Sequence, residues 1–117
     1  MKNKIQILGQ EYQIIICSQD EMNTYNPRKK PSDNPLNAWG LCDFGEKIIY
    51  VDSELTDKDS VAQFNRVLRH EILHALAYES GINGESYWGQ NEECIDYYAI
   101  QIPKLIKLFK QLDILDK

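Results

Sequence analysis

At 117 residues, with 43% hydrophobic and 26% charged residues, the chain fits one soluble globular domain, residues 1–117, and is too apolar to stay disordered. Its formal net charge of −5 excludes a nucleic-acid face as the main business: phosphate contacts need clustered Lys and Arg, and the densest runs, Arg28-Lys29-Lys30 and Lys104/Lys107/Lys110, are short. The longest apolar run, Ile14-Ile15-Ile16-Cys17, is far below the roughly 20 residues of a membrane helix and Met1–Ile5 carries no targeting signal, so a cytoplasmic protein with no membrane partner is expected.

Residues 4–17 read as a β-hairpin, with arms Lys4–Leu8 and Tyr12–Ile16 and a turn at Gly9-Gln10. The isoleucines of the second arm predict a central strand covered on both faces. Ser18–Met22 can start a short helix, but Asn26-Pro27 and Pro31–Pro35 stop any regular element, leaving a loop. A second hairpin follows: Ala38–Asp43, the turn Phe44-Gly45-Glu46, and Lys47–Asp52, whose Ile48–Val51 run again predicts cover on both faces. The first of these arms, with its glycine and polar flanks, suits a sheet edge.

Helical spacing then takes over. Thr56 or Ser60 is the expected cap, with Ser60–Gln63 fitting a capping box, and Val61, Phe64, Val67, Leu68, Ile72, Ala75 and Leu76 recur at helical intervals until Gly81. Residues 81–90 form a connection to a last helix, which Asn91 caps and which carries Ile95, Tyr98, Ala99, Ile102, Leu105, Ile106 and Phe109 on its apolar face. Pro103 is expected to kink it, since the Ala99 carbonyl loses its helical donor, and the apolar period continues to Leu112. The fold class is therefore α+β: a small antiparallel or mixed sheet of three to four strands, packed on two long helices. Cys17, Cys42 and Cys94, odd in number and without a C-x-x-C pair, predict reduced, packed thiols.

The chain's two histidines, His70 and His74, stand one turn apart in His70-Glu71-Ile72-Leu73-His74. On a helix that spacing puts both imidazoles on one face, about 5–6 Å apart at Cβ, where they can chelate one ion. This is the H-E-x-x-H arrangement of zinc hydrolases, in which Glu71 would act on a metal-activated water as general base. A catalytic zinc needs a third protein ligand, which Glu92 can supply. Asp96, four residues on, can accept the second ring N–H of a liganding histidine. The rival Glu93 points about 100° away on the helix and cannot share the face of Asp96.

His70-Glu71-x-x-His74 followed by Asn91-Glu92-x-x-x-Asp96 resembles the gluzincins, the thermolysin-like zinc metallopeptidases, and above all their minimal forms and the short metallopeptidase-like proteins of phages and prophages. The likeness spans residues 38–110 in layout and is specific at the two motifs. It implies one zinc ion on His70, His74 and Glu92, Glu71 as general base, Asp96 in support, and a sheet whose edge strand aligns an extended peptide or protein substrate. On that reading Trp39 and Leu41 line the substrate groove, and Tyr87 and Trp88 wall the cleft. No histidine remains for the electrophile that larger relatives use, and their second subdomain is missing. Tyr78, Tyr87, Tyr97 and Tyr98 are the remaining oxyanion candidates, and Cys42 is read as packed rather than as a blocking ligand. Two rivals stand beside a peptidase: a non-catalytic, zinc-stabilised interaction protein of phage type, and a metal-free binding module.

Overall fold

The structure, a computed structural model, describes residues 3–25, 39–82 and 91–116. The fold begins with a hairpin of β1 (Lys4–Ile7) and β2 (Gln10–Cys17). Its turn is Leu8-Gly9, not Gly9-Gln10: both residues take positive φ, 48° and 85°, as a two-residue type I′ turn requires, and Gln10 already pairs with Ile7. The left-handed position expected only of a glycine is thus also filled by Leu8, whose side chain is exposed.

A second hairpin joins β3 (Gly40–Asp43) to β4 (Ile48–Asp52). The sheet order is β1-β2-β4-β3, with β2 and β4 parallel and the outer pairs antiparallel. β2 and β4 are therefore central and β3 is an edge, as the residue patterns predict. A parallel pair needs a crossover. Part of it is the helix α1 (Gln19–Tyr25), which packs on β4. The start of α1 is a capping box: the Glu21 N–H donates to Ser18 Oγ at 3.2 Å, and Glu21 Oε1 accepts from the Ser18 hydroxyl at 3.2 Å and, at 3.5 Å, from its N–H.

Alternation along β4 divides the core. Ile49 and Val51 join Ile7, Tyr12, Cys42, Leu55, Val67 and Ala75 between the sheet and α2 (Val61–Glu79). Tyr50 joins Cys17 and Met22 on the opposite face, with Ile15, Leu41 and Ile48 against them. β2 is covered less fully than expected, since Ile16 is 42% exposed. Cys17 and Cys42 are buried, Cys94 is half-buried, and none of the three forms a disulfide.

The approach to α2 is capped differently from the expectation. Asp52 and Asp57 accept the N–H groups of Glu54 and Asp59 at the heads of two 3-10 turns, Ser53–Thr56 and Lys58–Ser60. Ser60 occupies the α2 N-cap, but its hydroxyl turns back to Asp57 instead of capping the helix. At the other end Gly81 (φ 93°) closes a Schellman motif, with Gly81 N–H on the Tyr78 carbonyl and Ile82 N–H on that of Ala77. A half-buried clamp ties that end to the sheet: the Tyr12 hydroxyl donates to Glu79 at 2.6 Å and Lys47 Nζ pairs with the same oxygen.

The last helix, α3 (Glu92–Gln111), runs unbroken through Pro103. The Ala99 carbonyl, deprived of its helical donor, instead accepts Arg69 Nε of α2 at 2.6 Å. The proline defect is thereby turned into an interhelical bond. Arg69→Ala is expected to cost about 1–3 kcal/mol in urea unfolding, because it strands the carbonyl of the buried Ala99. Pro103→Ala should recover much of that loss by restoring the donor within α3; equal losses in both backgrounds would show that the guanidinium acts elsewhere.

Candidate metal centre

Three side chains converge where α2 passes the first turn of α3. Val67, Glu71 and Ala75 are buried on the sheet-facing side of α2. His70 and His74 lie roughly 100° and 60° around the helix from the middle of that line, and they face α3, which packs alongside. Asn91 fixes the start of α3, its side chain accepting the Cys94 N–H at 2.9 Å, and so sets Glu92 in the first turn.

His70 Nε2 and His74 Nε2 lie 2.9 and 3.2 Å from the same oxygen, Glu92 Oε2, and the two Nε2 atoms are 3.2 Å apart. Bonds of about 2.0–2.1 Å to a tetrahedral ion set its donors roughly 3.3 Å apart. The observed triangle is close to that edge length. His70, His74 and Glu92 form a group able to hold a metal ion, whereas Glu93 is exposed and takes no part in it. Hydrogen bonds from His70 and then His74 hold the Glu92 carboxyl well below the usual carboxylate range. The bond to Glu92 in turn raises the pKa of His70 against the lowering effect of burial.

Asp96 Oδ1 stands 3.4 Å from His70 Nδ1, so the expected outer contact is present but long. The closer partner of that oxygen is Arg66 Nη1, at 2.6 Å. The sequence reading missed Arg66, although it stands four residues before His70 and so shares its face.

Glu71 is 8% exposed and lies beneath the edge strand. A Cβ on Gly40 would come within 3.0 Å of Glu71 Oε2 and Cγ and 2.9 Å of Val67 Cγ1. Only glycine lets β3 lie this close to the carboxylate, whose charge is near enough to act on His70.

The groove expectations divide. Trp39, at the head of β3, is 45% exposed, and its carbonyl accepts the Asp52 N–H. Leu41 does not face the site: alternation turns it to the far side of the sheet, against the Cys17, Met22 and Tyr50 cluster. Tyr87 and Trp88, together with the loop at 26–35, lie outside the described residues. Cys42 is packed in the core, Tyr78 stacks on Phe44 at 4.7 Å, and Tyr98 lines an apolar cavity of about 250 Å³ between α2 and α3. No helix among the described residues is long and apolar enough to cross a membrane.

Fold and site together define a small α+β domain in which two helices present a two-histidine, one-carboxylate group beside a buried glutamate. Comparison with protein-family models, curated proteins and solved structures gives no match.

Proposed function

We propose that the chain is a zinc-dependent peptidase of the gluzincin kind. The observation that carries this reading is the pairing of a closed donor triangle on His70, His74 and Glu92 with a buried carboxylate, Glu71, next along the helix. A site that only stabilised the fold has no need of that glutamate. Zinc, when bound, would supply Lewis acidity, polarising a carbonyl and lowering the pKa of water toward ~7. Glu71 takes the proton of the attacking water and returns it to the leaving amine. β3, an edge strand, offers main-chain groups to an extended peptide, with Trp39 at its head. His70, His74 and Glu92 would hold the ion, with Asp96 steadying His70.

Elemental analysis of the purified protein should find about one equivalent of zinc. A casein and peptide-library screen should show cleavage that a chelator abolishes. Zinc without cleavage would favour the structural reading, and neither would favour a metal-free binding module.

Gly40→Ala tests the relation of Glu71 to the edge strand. The added methyl meets Val67 at 2.9 Å and the Glu71 carboxylate at 3.0 Å, so Val67 must shift and Glu71 give by a few tenths of an ångström. A misplacement of that size is expected to lower turnover by about tenfold with zinc retained. Unchanged kinetics would mean that the position of the carboxylate against β3 is immaterial.

A further inference from the structure

We propose that Arg66 is a positioning residue of the metal centre, acting through Asp96 on the imidazole of His70; this rests on the metal-binding reading above. Arg66 and His70 are one turn apart on α2, and Asp96 reaches between them from α3. A single carboxylate oxygen, Oδ1, takes both contacts: 2.6 Å from Arg66 Nη1 and 3.4 Å from His70 Nδ1. Gln63 Oε1 accepts Arg66 Nε at 3.3 Å and so steadies the guanidinium from behind. Gln63, Arg66, Asp96 and His70 thus form one chain of contacts ending on a ligand ring.

The distances decide which contact fixes the carboxylate. Asp96 has a side chain 39% exposed and would rotate readily on a short stem. A 3.4 Å contact lies beyond ordinary hydrogen-bond length and is too weak to hold it. The 2.6 Å charge-assisted bond to Arg66 sets its orientation, and His70 then finds an acceptor already in place. A half-buried ion pair, 30% and 39% exposed, is partly screened by solvent and contributes modestly to stability, so fold maintenance alone is an incomplete account of the arrangement. A guanidinium near a cation site also repels the ion. Its charge alone therefore weakens metal binding, whereas its positioning of Asp96 strengthens it. The two effects have opposite signs.

That difference in sign makes the test. Wild type, Arg66→Met, Arg66→Lys, Asp96→Asn and the Arg66→Met/Asp96→Asn double variant are titrated with cobalt(II), followed by visible absorption, and then with zinc in competition. Far-UV circular dichroism checks the fold, and Arg66→Gln replaces Arg66→Met if the latter does not fold. The expected result is about a tenfold loss of affinity in each single variant, with an altered cobalt spectrum. The double variant should be no weaker than Asp96→Asn alone, and Arg66→Lys should recover part of the loss. Affinity within twofold of wild type, tighter binding, or losses that multiply in the double variant would overturn the proposal while leaving the metal centre intact. A wild type that binds neither ion would instead remove the metal centre on which it rests.

Discussion

Glu71→Gln is expected to lower turnover by about a thousandfold while one equivalent of zinc stays bound. The carboxylate stands outside the donor group of His70, His74 and Glu92, so an isosteric amide should not release the ion. It packs against Gly40 and Val67 with 8% exposure, and glutamine fills the same volume. What the amide removes is the capacity to accept the proton of water. Stability should change little, because the amide keeps the volume packed against Gly40 and Val67. kcat/KM on a cleaved peptide, zinc content and the apo melting temperature separate the possibilities. Normal turnover would exclude the general-base role. Loss of zinc would place Glu71 among the ligands, and loss of fold would make its role structural.

The local physics of the site is legible in the chain. Histidines four apart on an uninterrupted apolar period must share a helix face, and a capping asparagine just before Glu92 fixes which turn carries the third donor. Central and edge strands follow from which runs are apolar at every position. What escapes is whatever depends on partners distant in sequence. The parallel pairing of β2 with β4 needs a crossover that no local pattern states. Membership of the edge strand alone predicts Leu41 in the groove, but the strand's register, with Gly40 against Glu71, turns it to the other face. Ser60 fits a capping box, yet Asp57 competes for its hydroxyl. The orphaned Ala99 carbonyl is readable from Pro103, whereas Arg69 as its donor, thirty residues away, is known only once α2 and α3 are packed.

The metal itself is tested at Glu92. Glu92→Gln is expected to weaken zinc binding by about 100- to 1,000-fold, roughly one ligand's share of the binding free energy of a structural zinc. Glu92 is the only anionic donor in the group, and a neutral amide leaves two imidazoles to hold a dication. Binding to the folded state alone stabilises by about 4 kcal/mol when free metal is a thousandfold above Kd. For a chain of 117 residues that is a melting-temperature shift of roughly 15 °C. Wild type should show this shift between zinc and chelator, and Glu92→Gln should lose most of it at the same free zinc. The apo proteins should differ little, since a side chain 68% exposed makes ion pairs that solvent screens. Comparison of the four melts therefore isolates the ion from the carboxylate's own contacts. Glu93→Gln is the control: it changes the net charge of α3 identically but should leave the zinc shift untouched. If both variants lose the shift equally, the stabilisation comes from general acidity near the helix start and not from coordination by Glu92.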